Sequence, residues 1–172
     1  SDGYSVMVPA RSMEVETEGK SANQAQYTIK YFLEGTDGTF TEDDSLTQKL
    51  YGESNGTVSI TEETAAEVPG YNFDTDNENN QTEITVAADG SSVIKLYYTR
   101  KEYSISYELN GGTNAVGNPT TYKYKDNITL LEPTKAGYRF TGWYTSPALQ
   151  TEVTHILETD MGDMKLYAGW QD

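Results

Sequence analysis

The chain has 172 residues, 12 Lys and Arg against 27 Asp and Glu, a formal charge of −15, no cysteine and one histidine. A nucleic-acid binder must bring cationic side chains to displace counterions from phosphate, and an anionic membrane surface repels acidity for the same reason, so both partners are excluded. Without cysteine there are no disulfide frameworks, thiol nucleophiles, iron–sulfur clusters or thiolate zinc sites, and no apolar run approaches the ~20 residues a membrane span needs.

In chain order, Tyr4 to Val8 has the composition of one strand and Glu14 to Gln24 is polar, so residues 1–24 read as a linker or the tail of a preceding module. Tyr27, Ile29, Tyr31 and Leu33 then alternate with Thr28 and Lys30, the period-2 pattern of a half-buried strand. Thr36-Asp37-Gly38-Thr39 follows as a hairpin signal. Residues 32–89 hold 14 acids and one base, Lys49. This is either a solvated surface that keeps the protein soluble or a face for a cation or basic partner. Ser59 to Glu67 offers capping oxygens and first-turn acids, and Val68-Pro69-Gly70 stops it, which predicts a helix of about two turns. Gly70-Tyr71-Asn72-Phe73 comes next, and Ser92 to Thr99 closes the first half as a strand.

Past a junction near Arg100-Lys101-Glu102 the plan repeats. Tyr27-Thr-Ile-Lys-Tyr31-Phe-Leu-Glu-Gly35 answers to Tyr103-Ser-Ile-Ser-Tyr107-Glu-Leu-Asn-Gly111, Gly70-Tyr71-Asn-Phe73 to Gly137-Tyr138-Arg-Phe140, and Ile94-Lys-Leu96-Tyr97 to Met164-Lys-Leu166-Tyr167. Two modules of about seventy residues each follow, the second offering only Pro147 to Ile156 as a counterpart to the helix. A module this small buries only about 60% of its unfolded surface, so its core must be dense. Tyr71, Phe73, Tyr97, Tyr138, Phe140, Trp143, Tyr167 and Trp170 are the core candidates.

These landmarks carry a resemblance. Residues 27–100 resemble the mucin-binding-protein (MucBP) repeat through Tyr27-Thr-Ile-Lys-Tyr31, Gly35-Thr-Asp-Gly38, Val68-Pro69-Gly70-Tyr71 and Val93-Ile-Lys-Leu-Tyr97-Tyr98. Residues 103–170 resemble the Listeria–Bacteroides (internalin B-type) repeat through Tyr107-Glu-Leu-Asn110-Gly111-Gly112, Pro133-Thr-Lys-Ala-Gly137-Tyr138-Arg-Phe140-Thr-Gly142-Trp143-Tyr144 and Leu166-Tyr167-Ala168-Gly169-Trp170. The resemblance implies an α+β, mainly antiparallel fold: two tandem β-grasp (ubiquitin-like) modules over 25–100 and 101–172, with a short helix at least in the first. It also implies export to a bacterial cell surface or cell wall and no catalytic residues to carry over. The chain begins with no signal peptide and holds no sorting motif, as expected of an internal fragment of a longer exported protein.

Sites weigh lightly against this frame. His155 is the one imidazole, with no Gly-x-Ser-x-Gly elbow and no second histidine, so it reads as a structural, partly exposed residue and the chain as no enzyme. Asp74, Asp76, Glu78 and Asn80 place oxygens at alternate positions as a calcium loop does, but Asn79 and Thr85 stand where an EF-hand needs Gly and Glu. An Asx-rich loop satisfying its own backbone is the better reading, and no cofactor or metal is expected. Strands cannot absorb all fourteen tyrosines, so Tyr98, Tyr122, Tyr124 and Tyr144 are candidates for an exposed surface that stacks on sugars or anchors a partner. Tyr122 and Tyr124 equally suit one face of a strand over Thr120 to Lys125. The expected function is a non-catalytic, monomeric stalk or spacer within an adhesin, beside neighbouring repeats. The alternative is recognition of host mucin, glycan or surface protein, with a hydrolase a remote third.

Overall fold

A computed structural model describes residues 21–172, so the strand expected at Tyr4 and most of the linker expected over 1–24 lie outside the described residues. The chain divides between Arg100 and Lys101 into two compact units.

Unit 1 runs through β1 (Gln24–Glu34), β2 (Phe40–Glu42), a single 3-10 turn at Asp44–Leu46, β3 (Gln48–Glu53), β4 (Thr57–Ser59), β5 (Tyr71–Phe73), β6 (Glu83–Thr85) and β7 (Ser92–Arg100). β1 is central. β7 pairs with it in parallel, β2 and β3 pair antiparallel with the two halves of its other side, and β5 lies antiparallel outside β7. Alternation sends Ala25, Tyr27, Ile29 and Tyr31 of β1 to the same face as Ile94, Leu96 and Tyr98 of β7, with Ile29 opposite Ile94 and Tyr31 opposite Leu96. That face is covered by the antiparallel β4–β6 ribbon, whose Val58 and Ile84 pack on the core. Each side chain fully buried there contributes roughly 1.5–3 kcal/mol of transfer free energy.

Unit 2 runs through β8 (Glu102–Glu108), β9 (Thr121–Lys123), β10 (Ile128–Thr129), β11 (Arg139–Tyr144), β12 (Glu152–Val153), β13 (His155–Ile156) and β14 (Met164–Gln171). Its sheet has the order β12-β11-β14-β8-β9, with β14 parallel to β8 and the other neighbours antiparallel. The β10–β13 ribbon brings Ile128 and Ile156 onto a core of Ile105, Tyr122, Trp143, Leu166 and Ala168. Phe140 meets Trp143 and Trp170 edge-on, with centroids 5.3 and 5.5 Å away. The three repeated landmarks fall on equivalent strands in the two units: the first strand, the strand antiparallel to the last, and the last itself.

The expected α+β, mainly antiparallel β-grasp fold is overturned. Strands and bridges take 47% of the described residues, no α-helix occurs among them, and each unit is a mixed sheet under a small ribbon, sandwich-like. Over Ser59 to Glu67 the chain makes one turn, in which the Thr61 carbonyl accepts the amides of Thr64 and Ala65 at 3.1 and 2.9 Å. It then stops at Val68-Pro69, since Pro69 has no amide to donate and disfavours a helical residue before it. The Thr64 hydroxyl accepts the Thr61 amide at 2.8 Å, while the Ile60 amide is spent on Thr82 of the neighbouring chain segment at 2.9 Å. The helical counterpart over Pro147 to Ile156 is also absent, replaced by β12 and β13. The strand pairing is mixed because the first and last strands of each unit, both buried on one face, lie side by side in parallel. Such a pairing requires a crossover of a dozen residues or more, and here the crossovers are built of short strands.

Among the core candidates, Trp143 is buried, and Tyr71, Phe73, Phe140 and Trp170 pack half-buried against the two cores. Tyr97 and Tyr167 alternate with buried residues and so sit on the opposite sheet face. Tyr138, placed in the core by its sequence landmark, is 47% exposed and lies beneath the Lys135 ammonium, 4.2 Å from its ring centroid.

Candidate functional site

An open groove of about 520 Å³ lies in unit 2, between the β12–β13 segment, the 157–163 loop and the start of β14. It gathers His155, Glu152, Asp160, Asp163 and Lys165, the set a sequence reading scatters over two segments. Three of the five are engaged by hydrogen bonds. Asp160 Oδ2 accepts the Leu157 amide at 2.8 Å, closing the loop, and Asp163 Oδ1 accepts the Ser104 amide at 2.9 Å, fastening the loop to β8. Exposed His155 shares a 2.9 Å hydrogen bond between its Nδ1 and the hydroxyl of its neighbour Thr154, a local contact along an exposed strand. Among the described residues no group of three or more His, Asp or Glu side chains converges as a metal site. The groove can seat a segment of a partner; it has no assembled nucleophile, base and oxyanion donors.

The acidic loop of unit 1 closes on itself. Asn77 Nδ2 donates to Asp74 Oδ2 at 3.2 Å, and the Asn79 amide donates to Asn77 Oδ1 at 2.9 Å. Asn80 is a double clamp: its Nδ2 donates to the Asp74 carbonyl at 2.7 Å and its Oδ1 accepts the Tyr97 amide at 2.8 Å. Asn80 therefore works as a staple between loop and β7, and among the described residues Asp74, Asp76 and Glu78 do not converge as a metal site.

Two of the four candidate tyrosines are interior, which corrects the expectation that they form a surface. Tyr98 is 1% exposed, and its hydroxyl donates to the Ala66 carbonyl at 2.6 Å across the core of unit 1. Burial pushes its pKa far above the usual value near 10, with the neighbouring Tyr31 adding to it. Tyr122 is 2% exposed and donates to the Gly162 carbonyl at 2.5 Å. Burial, then the charges of Asp160 and Asp163 and neighbouring Tyr103, push its phenol up to about 12. Tyr98 ends up inside because β7 alternates in the opposite phase from the one an exposed tyrosine requires: Ile94, Leu96 and Tyr98 share the inner face. Tyr124 and Tyr144 are half-buried. The Tyr124 ring lies 5.2 Å from the Lys125 ammonium, and the Tyr144 hydroxyl lies 3.2 Å from that of Thr141. The two do not form one patch with Tyr98 and Tyr122.

The sequence reading named Trp143, Trp170 and the Asn110-Gly111-Gly112 turn but not the bonds by which they hold unit 2 closed. Trp143 Nε1 donates to the Leu131 carbonyl and Trp170 Nε1 to the Leu109 carbonyl, each at 3.0 Å. Asn110, at φ 48°, sends Nδ2 to the Ala168 carbonyl at 2.8 Å. Gly112 lets the Trp170 indole lie against the backbone, where a Cβ would overlap the ring. At Gly142, φ 149°, β11 bulges against Glu152. The Asn-Gly-Gly and Gly-Trp spacings of the sequence are thus the tie points of two indoles.

Residues 103–169 match the Listeria-Bacteroides repeat domain. The matched span runs from β8 through most of β14, so it includes the Trp143–Leu131 tie and stops one residue short of Trp170. Two proteins of Evansella cellulosilytica align with half of the chain. One, described as a Gly-rich membrane protein, is 31% identical over 91 residues, 51% of this chain and 10% of its own length. The other, described as a membrane protein, is 36% identical over 89 residues, 50% of this chain and 12% of its own. The chain spans about a tenth of the length of the curated relatives it matches. Among the described residues of the chain itself, no helix is long and apolar enough to cross a membrane.

Proposed function

We propose that this chain is a non-catalytic repeat segment of a bacterial surface protein, serving as stalk or spacer within an adhesin. The observation that carries the reading is the repeat-domain match over 103–169, on a unit in which Asp160 and Asp163 of the groove accept backbone amides. Unit 1 extends the array as a MucBP-like module, on the landmarks at Tyr27, Gly35, Val68 and Val93. The segment works as a monomer outside the cell, beside further repeats of the same chain. Mucin or glycan recognition through tyrosines is the weaker reading, since only Tyr124 and Tyr144 of the four candidates reach the surface.

The test is placement. An epitope inserted beside Val116, whose side chain is fully exposed, is followed on intact cells of the source bacterium carrying the full-length protein. Antibody labelling without lysis is the expected result; labelling that appears only after lysis overturns the reading. Turnover of an ester, peptide or glycoside substrate that vanishes in His155→Ala would overturn its non-catalytic part.

A further inference from the structure

β3 is an open edge of the unit 1 sheet. It pairs with β1 on one side, and no strand among the described residues pairs with its other side. The ladder decides which of its main-chain groups face outward. The Ser54 amide donates to the Asn23 carbonyl at 2.8 Å, continuing the register in which Gln24 meets Glu53 and Ile29 meets Gln48. Bonded and non-bonded pairs alternate along an antiparallel ladder. Gly52, Leu50 and Gln48 therefore bond β1, while Lys49, Tyr51 and Glu53 turn their N–H and C=O groups to the open side. The Glu53 carbonyl accepts the Gly56 amide at 2.9 Å, which leaves it one lone pair. The main chains of Lys49 and Tyr51 have no hydrogen-bond partner among the described residues.

The side chains along this edge complement their own reversed copy. Lys49 is the one base among the 14 acids of residues 32–89. It shares the outer sheet face with Glu53, both exposed, and half-buried Tyr51 lies midway between them. A second β3 laid antiparallel and centred on Tyr51 places Lys49 opposite the partner's Glu53, Tyr51 opposite the partner's Tyr51, and Glu53 opposite the partner's Lys49. These are also the positions whose main-chain groups face outward, so charge pairing and hydrogen bonding demand the same register. On the core side Leu50 meets the partner's Gly52, a large side chain opposite none. Registers centred on Lys49 or on Glu53 oppose like charges instead, which destabilises a sheet.

We propose that β3 is a docking edge for a second copy of this chain, the two strands pairing antiparallel about a two-fold axis at Tyr51 and joining their sheets into one. The two-fold axis makes each contact twice, so the edge forms two Lys49–Glu53 pairs. A lysine on an open edge commonly keeps strands apart. It does so by giving an incoming strand a charge without a counterpart, and here Glu53 supplies the counterpart. The contact is one strand wide, well short of the ~1,000 Å² of a durable interface. The chain is therefore a monomer when dilute and pairs where copies are crowded. This goes beyond the stalk reading and does not depend on it, since the pairing is a property of the purified chain.

The experiment is sedimentation equilibrium of the full chain at pH 7 up to ~1 mM, in ~0.15 M NaCl to screen the repulsion between two copies of charge −15. The weight-average mass is expected to rise with concentration. Lys49→Glu and Glu53→Lys should each weaken association at least ~5-fold, because either change turns both ion pairs into like-charge pairs. An equimolar mixture of the two variants should associate as the parent does, since each then meets its opposite at both positions, and so should the double variant Lys49→Glu, Glu53→Lys. In the parent, amide signals of Lys49 and Tyr51 should move with concentration while those of Leu50 and Gly52, already bonded to β1, move less. A mass that stays constant to the highest concentration overturns the proposal. So does association that the reversals leave unchanged, a mixture that stays monomeric, or tighter association of Lys49→Glu, which would mark the lysine as a guard against pairing.

Discussion

Asn118 holds Leu131 by both halves of its main chain: Asn118 Nδ2 donates to the Leu131 carbonyl at 2.9 Å, and Asn118 Oδ1 accepts the Leu131 amide at 2.7 Å. The side chain is 7% exposed and also donates to Asn114 Oδ1 at 2.8 Å, so a buried amide replaces a missing strand partner. The same Leu131 carbonyl takes the Trp143 indole. Asn118→Ala leaves the Leu131 amide without its partner while the Leu131 carbonyl keeps the Trp143 indole, a loss of about 1–3 kcal/mol for one orphaned group. Urea unfolding should show the unfolding midpoint of unit 2 falling with an unchanged slope. A loss under ~0.5 kcal/mol would mean that water replaces the clamp.

Removing the two buried phenol hydroxyls tests the assignment of Tyr98 and Tyr122 to the interior. Tyr98→Phe strands the Ala66 carbonyl and Tyr122→Phe the Gly162 carbonyl. Each is expected to cost about 1 kcal/mol, or roughly 4–8 °C in Tm for a unit of 60–100 residues. Tyr144→Phe, whose hydroxyl reaches Thr141 at 3.2 Å from a half-buried site, should cost less than either. Equal losses in all three would contradict the burial order.

Alkaline pH should unfold the protein through the same groups. Tyr107 and Tyr122 are pushed up to about 12 by burial, from the usual value near 10. The unfolded chain therefore releases phenolic protons before the native one does. Their contribution is fully present below pH 10 and is lost as pH rises from 10 towards 12. Tyrosinate absorbance followed with circular dichroism should show an early class of exposed phenols, then a late class that appears together with loss of structure. A single simple titration near pH 10 with structure retained would refute this.

Gly112→Ala should be among the most damaging single-methyl changes in unit 2, because the added Cβ meets both the Trp170 ring and the Thr134 carbonyl. Overpacking of this kind costs about 1–3 kcal/mol. Gly38→Ala is a useful contrast: its φ of 86° strains an L-residue, yet nothing stands within 4 Å of the new methyl. Heating curves should place Gly112→Ala below Gly38→Ala, and Trp170 fluorescence should shift only in the former.

Calcium should leave the Tm unchanged to within a degree. Asp74 is engaged by Asn77, and Asn80 is stapled to Asp74 and Tyr97, so gathering these oxygens about an ion would break bonds that hold β7. A rise of several degrees, reversed by a chelator, would show that the loop reorganises around the metal.

The local pattern of the chain settled which segments become strands and which residues recur. Alternation at Tyr27 to Leu33 and at Tyr103 to Leu109, and the glycine turns after each, are short-range instructions that any register obeys. The repeat could likewise be read from three landmarks, and Trp143 and Trp170 announced a core. Tertiary structure decided the rest, because strand pairing joins residues far apart in the chain according to which faces can be buried together. The parallel meeting of β1 with β7 sent Tyr98 inward and placed Lys30 against Lys95, 65 positions away in sequence. Pairing of Ile60 with Thr82 drew the start of the expected helix into the ribbon. Asn118, polar and surrounded by turn residues, looks like a loop residue until the fold brings Leu131 to it. A one-residue slip would exchange the two faces of every strand. It is therefore the burial of Ile94 and Leu96, not any property of the lysines, that fixes where the charge of unit 1 is displayed.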